Sequence, residues 1–294
     1  MSGVGAAVAP AGRTPARGRD RLSRRVGRTP PAVIGGVLVG CVVLVAIAAP
    51  VLAGYDPAAQ IATPLLRPSG GFLGGTDQLG RDEMSRIIFG ARVSLYVGVL
   101  AVAVALALGG TTGVLAGFYG GWIDNVTMRV MDILFSLPAL VLAIAITAVL
   151  GPSLTNVMLA IGIVYAPTFA RIARGPTLAV VRLPYVEAAR AIGASTPAIL
   201  LRHILPNVSA PLLVQTTVSL STAILTEAAL SFLGLGTQPP TPSWGLMLSD
   251  ARQYMLIDPW VAVLPGVAIA VTVLGFNLLG DGLRDVLDPR IRTM

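Results

Sequence analysis

The chain has 294 residues, of which 54% are apolar and only 12% charged; this balance excludes an ordinary soluble domain, in which about a quarter of residues are charged. The formal net charge of +7 involves arginine alone among the basic residues, because the sequence has no lysine, and this excludes a G-x-x-x-x-G-K-[ST] phosphate-binding loop. The single cysteine, Cys41, excludes an intrachain disulfide.

The first segment, residues 1–29, is rich in Gly, Ala, Pro and Arg, a composition that predicts a disordered cytoplasmic tail. Ser23-Arg24-Arg25 before an apolar run also resembles a twin-arginine export signal, with small residues for cleavage at 46–53. That apolar run is longer than the roughly 7–15 residues of a signal core, and five more apolar runs follow it. The sequence therefore favours a first membrane span over a cleaved signal.

Six apolar runs approach or exceed the about 20 residues that cross a bilayer as a helix. They lie at residues 33–53, 93–117, 130–150, 155–170, 209–232 and 260–280. Because a helix satisfies its own backbone in lipid, we predict an all-α integral membrane protein with about six transmembrane helices. Sixteen of the 21 arginines fall on one side, which predicts that both termini are cytoplasmic (N-in, C-in) and explains the basic residues without a nucleic-acid partner.

Residues 75–95, on the outer side before the second span, carry charges at helical spacing, with Asp82 and Arg86 four positions apart. We predict an extracytoplasmic surface helix here that leads the chain into the span. Anchoring is the favoured role over direct contact with a transported molecule.

Polar side chains inside the apolar runs are candidate pathway or gating residues, because an ionised carboxylate is expensive in lipid. Asp132 lies at the edge of the third run and Glu227 near the end of the fifth. The competing interpretation is a carboxylate that reaches water or an arginine, and it is favoured for Asp132. Smaller polar residues could line a pathway or hold helices together: Asn277, Thr216, Thr217, Ser219, Ser221 and Thr222.

The cytoplasmic segment 171–208 carries the most informative pattern. Pro184 and the residues from Tyr185 to Ile192 predict a short helix, and Gly193 supplies the left-handed position that helix C-termini prefer. Such a helix could present small alanines to a groove on a partner, with Glu187 and Arg190 fixing its register. An amphipathic connector is the alternative.

The outer segment 238–244 contains successive prolines, which predict a stiff loop because proline removes a donor and restricts its neighbours. Trp244, Tyr254 and Trp260 fit an interfacial aromatic belt. His203 is the sole histidine, with no cluster of further ligands around it, so we expect a solvated loop residue and no metal site.

The segment 171–208 resembles the EAA loop of bacterial ABC importer permeases in Glu187-Ala188-Ala189, then Gly193, then Leu205-Pro206 at the family spacing. His203 stands where that pattern has isoleucine. Four further stretches resemble the C-type permease of the dipeptide, oligopeptide and nickel branch, and the resemblance covers about residues 30–290. These stretches are 75–95, 131–138, 227–245 and 275–290.

The resemblance implies a binding-protein-dependent (MetI-like) permease core at 93–285, preceded by a first helix and outer segment at 30–92 and followed by a cytoplasmic tail at 286–294. It also implies a non-catalytic subunit in the bacterial cytoplasmic membrane that imports di- or oligopeptides. Its expected partners are a second, B-type permease, two P-loop ATPases that bind ATP and Mg²⁺, and an extracytoplasmic substrate-binding protein; this chain itself would bind no cofactor.

The residues implied to couple to the ATPases are Glu187, Ala188, Ala189, Gly193, Leu205 and Pro206. Nickel import within the same family is the main alternative. Two rival classes receive less support: an ion-coupled transporter would show paired intramembrane acids or an internal repeat, and a membrane enzyme would show a catalytic constellation.

Overall fold

The computed structural model describes residues 29–287, which form helices joined by irregular segments and two isolated β-bridges. The predicted tail 1–29, apart from Thr29, and the last seven residues of the predicted tail 286–294 lie outside this range. The helices are α1 Pro30–Ile47, α2 Ala49–Leu52, α3 Glu83–Ala105, α4 Thr111–Tyr119, α5 Gly121–Phe135, α6 Ala139–Leu150, α7 Leu154–Val181, α8 Pro184–Ala191, α9 Thr196–Ile199, α10 Leu205–Phe232, α11 Trp244–Ala251 and α12 Trp260–Leu287.

Five helical rods in the described range are long and apolar enough to cross a membrane. Two of them contain a π-helical turn: Leu106–Gly110 joins α3 to α4, and Leu200–Ile204 joins α9 to α10. The pair α5 and α6 bends by 90° at residues 136–138 and counts as a sixth span if taken together. The prediction of about six spans is confirmed, with the third span broken.

Several predicted boundaries were wrong, because charged and proline-containing turns extend the rods beyond their apolar cores. The second predicted span begins at Glu83, and the fourth continues to Val181 through Pro167 and Pro176. The fifth predicted span begins at Thr196. The segment 171–208 is therefore mostly the inner ends of two rods, and only 182–195 connects them.

Glycines allow the rods to approach closely. An added Cβ at Gly109, Gly113 or Gly117 would lie 2.0, 2.2 or 2.9 Å from the nearest atom of α7. On the other side of the bundle, α1 meets α12, where a Cβ at Gly35 would lie 2.3 Å from the Leu279 nitrogen. Small residues at such crossings let helices pack tightly in lipid, where no hydrophobic effect drives them together.

The predicted helix in the outer segment 75–95 forms only from Glu83 onward, where it leads into the second span as part of α3. The first part of the segment is irregular, and the Asp82 carboxylate caps the helix by accepting from the Ser85 amide at 2.8 Å. Because Asp82 serves as the cap, Arg86 has other partners: its Nε lies 3.4 Å from Asp77 Oδ2 and its Nη2 lies 3.9 Å from Asp250 Oδ2. The pairing of Asp82 with Arg86 is therefore a wrong prediction.

The loop between α10 and α11 is irregular, as predicted, and contains a cis Pro239–Pro240 peptide bond. The assignment of Trp244 to an aromatic belt was wrong: it is 2% exposed, packs over Gly90, and donates from Nε1 to the Ile87 carbonyl at 3.0 Å. Trp260 is 45% exposed, as a belt residue requires, and Tyr254 is half-buried.

Candidate coupling helix and intramembrane polar residues

The short helix α8 lies between the inner ends of two long rods. It follows α7 after only Arg182 and Leu183, with Pro184 in its first turn. Its inner face is formed by Val186 and Ala189, both buried in the core of this chain. Glu187 and Ala188 are exposed. Ala188 is thus available to a partner, whereas Ala189 packs inward, contrary to the expectation that both alanines would be presented outward.

The C-terminus of α8 has the geometry expected of a glycine stop. Gly193 has φ of +80°, and its amide donates to the Arg190 carbonyl at 3.0 Å. The Ala194 amide donates to the Ala189 carbonyl, also at 3.0 Å. These two bonds form a Schellman motif, in which a residue with positive φ satisfies the last carbonyls and reverses the chain. The direction in which the chain leaves α8 thus depends on Gly193.

Side chains also hold α8 against the neighbouring rods. The Arg190 guanidinium lies 5.1 Å from the centre of the Phe118 ring on α4. The Tyr185 ring lies 5.7 Å from that of His203, and Asn207 Nδ2 donates to the Tyr185 hydroxyl at 3.4 Å. His203 itself lies in the π-helical turn Leu200–Ile204, not in the predicted solvated loop.

The remaining two residues of the pattern begin α10. Pro206 lies in the first turn, where a missing amide hydrogen costs nothing, and Leu205 is 44% exposed. Leu205 lines an apolar groove of about 580 Å³ between the two π-helical turns, together with Leu106, Gly110, Leu200 and Leu212.

Three apolar side chains close to Glu187 in the chain are also exposed. Leu183 is 39% exposed, Tyr185 44% and Ile192 85%. Exposed apolar groups rimmed by polar ones are typical of a protein interaction surface. We call α8 with these three residues the docking surface.

Glu227 is fully buried near the outer end of α10. Its Oε1 accepts from the Ser231 hydroxyl at 2.7 Å and its Oε2 from the Ser94 hydroxyl of α3 at 3.3 Å. Ser231 Oγ in turn accepts from the Thr237 amide in the proline-rich loop at 3.2 Å. Glu227 thus connects two rods and the outer loop, and its carboxylate is closed off from solvent.

Replacement of Glu227 by leucine should destabilise the protein more than replacement by glutamine. Leucine leaves the buried Ser94 and Ser231 hydroxyls without an acceptor, at about 1–3 kcal/mol for each unsatisfied group, whereas glutamine retains one acceptor oxygen. Thermal unfolding midpoints in detergent measure the difference. Equal midpoints for the two variants would contradict this role.

The other two candidate residues have partners of their own. Asp132 Oδ1 lies 2.8 Å from Arg171 Nη2, which agrees with the favoured interpretation that this carboxylate reaches water or an arginine. Asn277 Oδ1 accepts from the Ser221 hydroxyl at 2.6 Å, across α12 and α10. The structure does not bring Asp132, Glu227 and Asn277 together into one site. Ser219 and Ser221, for which the sequence left a pathway-lining or a helix-joining role open, are both buried, and the bond from Ser221 to Asn277 fits the helix-joining role.

One ion pair was missed by the sequence analysis: Asp124 accepts from Arg174 Nε at 2.5 Å and from Nη2 at 2.6 Å. The two residues are 50 positions apart, so no local pattern reveals the pair. Within residues 29–287, no group of three or more His, Cys, Asp or Glu could hold a metal ion.

Comparison with known proteins identifies the class. Residues 109–293 match the family described as "Binding-protein-dependent transport system inner membrane component", and residues 21–68 match "N-terminal TM domain of oligopeptide transport permease C". The inward-facing MetNI methionine ABC transporter shares the fold with a TM-score of 0.55 and 22% identity, over 69% of this chain and 97% of that one.

Two relatives are considerably more similar in sequence. The dipeptide transport system permease protein DppC of Alkalihalophilus pseudofirmus is 46% identical over 263 residues, covering 89% of this chain and 86% of that protein. The glutathione transport system permease protein GsiD of Escherichia coli O1:K1 is 48% identical over 271 residues, covering 92% and 89%.

The helical rods and these matches define a multi-pass transport permease of the bacterial inner membrane. The chain belongs to the family of binding-protein-dependent transport system inner membrane components, as a C-type permease of the peptide and glutathione type. The predicted resemblance and the all-α, MetI-like fold are thereby confirmed.

Proposed function

We propose that this chain is the C-type permease subunit of an ABC importer that carries small peptides into the cytoplasm, coupled through the docking surface to separate ATPase subunits. The observation that carries the proposal is the geometry of α8: a short helix with an exposed Glu187, exposed apolar residues close to it in the chain, and a glycine stop that sets the direction in which the chain leaves the helix. Its inner face is buried in this chain, so only the outer face is available to a partner.

The partners follow from the family. A second, B-type permease completes the pathway, two P-loop ATPases bind ATP and Mg²⁺ and grip the two docking surfaces, and an extracytoplasmic binding protein delivers cargo. This chain supplies no catalytic residue to ATP hydrolysis, and it lacks the lysine that a P-loop requires.

The mechanism uses the stiffness of the rods. When ATP draws the two ATPases together, each docking surface moves with them, and α8 passes the displacement to α7 and α10, between which it lies. Rigid-body rocking of packed helices then exchanges access between the two sides of the membrane. The helix contacts at Gly109, Gly113 and Gly117 keep α4, with the π-helical turn before it, and α7 moving as one unit.

The cargo class rests on relatives named for dipeptide and glutathione, both small peptides. Nickel, the alternative from sequence, has no specific support from these relatives. Ion coupling through Glu227 is disfavoured, because the carboxylate is enclosed by hydroxyl groups with no route to solvent in this conformation.

The test is affinity purification of the full-length chain from membranes, followed by reconstitution of what co-purifies into liposomes. We expect a second permease and P-loop subunits, and ATP-dependent uptake of a radiolabelled dipeptide or of glutathione when the binding protein is supplied. A chain that purifies alone, or a complex that takes up nickel and neither peptide, would overturn the assignment of function or of cargo respectively.

A further inference from the structure

Helix α5 is attached to the rest of the chain in an unusual way. It is bounded by two breaks: Gly120 and Gly121, with φ of +64° and +55°, at its start, and the 90° bend at residues 136–138 at its end. A Cβ at either glycine would meet no atom within 4 Å, so packing does not immobilise this turn. Both ends of α5 can therefore act as pivots.

Few apolar contacts hold the middle of α5. Only Asp124 and Met131 of its fifteen residues are buried, whereas Trp122, Val126, Val130 and Ile133 are exposed. A cavity of about 270 Å³ lies at the bend, lined by Leu134, Pro138, Tyr165 and Thr168, and leaves room for movement.

Charged contacts connect α5 to one rod, α7. Asp124 forms a two-bonded pair with Arg174, and Asp132 pairs with Arg171 at 2.8 Å. The Arg171 guanidinium also lies 4.1 Å from the centre of the Phe135 ring. The two arginines are three positions apart on one face of α7, and the two aspartates are eight apart on one face of α5, so the pairs fix both position and register.

Helix α7 leads directly into the docking surface. The Leu183 amide donates to the Val180 carbonyl at 3.0 Å, and the Val186 amide donates to the Leu183 carbonyl at 2.9 Å. This tight turn joins α7 to α8 without a flexible linker. Displacement of α8 by a partner is therefore transmitted to the end of α7 that carries Arg171 and Arg174.

We propose that the Asp124–Arg174 and Asp132–Arg171 pairs are a mechanical link that makes α5 follow α7 when α8 moves, so that α5 swings between its two pivots and gates the inner half of the pathway. This inference rests on the proposed function. The four residues are positioning residues: they act on α5 and α7 and need not touch the cargo.

The first experiment uses the complete reconstituted complex and three kinds of variant. Asp124→Arg and Arg174→Asp each break the main pair, the double variant restores it in reversed order, and Arg129→Asp is the control. Arg129 lies on the same helix, is exposed, and has no partner in the described part of the chain.

We expect the single variants to hydrolyse ATP at the wild-type rate but to move about tenfold less cargo per ATP, equivalent to about 1.4 kcal/mol of lost coupling. The double variant should recover most of that ratio, and Arg129→Asp should match the wild type. A purely structural role would instead lower the amount of folded complex and leave cargo per ATP unchanged, which would overturn the proposal.

A second measurement needs neither partners nor cargo. With Cys41 replaced by serine, spin labels at Val99→Cys on α3 and Ile133→Cys on α5 report the position of α5 in the isolated chain. We expect the distance distribution to broaden in each single variant and to narrow again in the double variant. An unchanged distribution would overturn the link itself, whereas a wild-type complex without ATP-driven uptake would overturn only the proposed function.

Discussion

Replacing Glu187 with arginine should leave the protein in the membrane at normal levels and lower ATP-driven uptake by roughly a hundredfold, because a reversed charge opposite a complementary partner costs several kcal/mol. Insertion should be unaffected, since Glu187 is exposed and forms no ion pair in the described chain. Uptake and ATPase rates of the reconstituted complex, normalised to membrane content, measure the effect.

The matched control is Ser195→Arg, which adds the same side chain at an exposed position just beyond α8. Uptake by this variant should stay near the wild-type rate. If Glu187→Arg and Ser195→Arg reduced uptake equally, the effect would come from added charge at the membrane face and the docking role of Glu187 would be lost.

Replacing Gly193 with a β-branched residue should also lower ATP-driven uptake. Backbone strain from a β-branched residue at φ of +80° is on the order of 1–3 kcal/mol. The chain would then leave α8 in a different direction and turn the docking surface away from its partner. Such uncoupling without any change of charge would show that orientation of α8, and not only its electrostatics, carries the interaction.

Much of the fold could be predicted from the sequence, because lipid imposes a simple rule. Long uncharged runs must be helices, so the six spans and the helix before Gly193 follow from local composition and capping chemistry. The break of the third span at residues 136–138 was harder to foresee, since an apolar run continues on its far side and hydropathy does not measure direction.

The remaining differences come from tertiary contacts. Trp244 is of a residue type that is common at membrane interfaces. Its ring instead fills a recess left by Gly90, and its indole N–H donates to the carbonyl of Ile87, which is remote in sequence. Arg86 has a carboxylate four positions before it, yet Asp82 is taken by the helix cap, so Arg86 reaches Asp77 and Asp250. In both cases the residue type or local spacing suggested one contact, and a partner remote in sequence determined the contact that forms.

One signal in the sequence was available and was not used. Gly109, Gly113 and Gly117 repeat every four residues, the small-residue spacing that brings membrane helices into contact. This pattern predicts a close helix crossing on one face of the second span. The structure has that crossing, with α7 as the partner.

The second large effect is expected at this crossing. Gly113→Ala should lower the stability of the folded protein by about 1–3 kcal/mol, because the new methyl group would lie 2.2 Å from the Ala170 carbonyl oxygen and neither backbone can yield without separating the rods. For a chain of this size the unfolding midpoint should fall by about 2–5 °C. Combining it with Gly109→Ala, where the contact would be 2.0 Å, should lower the midpoint further.

Gly110→Ala, in the π-helical turn of the same rod, is the control. Its Cβ would meet only the flexible end of Leu106 at 3.3 Å and of Leu212 at 4.0 Å, so its packing cost is small. Alanine is favoured over glycine in a helix by up to about 1 kcal/mol, and this variant should be neutral or slightly more stable. Opposite shifts of the two midpoints would separate helix propensity from helix contact. Equal shifts would mean that the rods can separate without cost, and α4 and α7 could then not transmit motion as one unit.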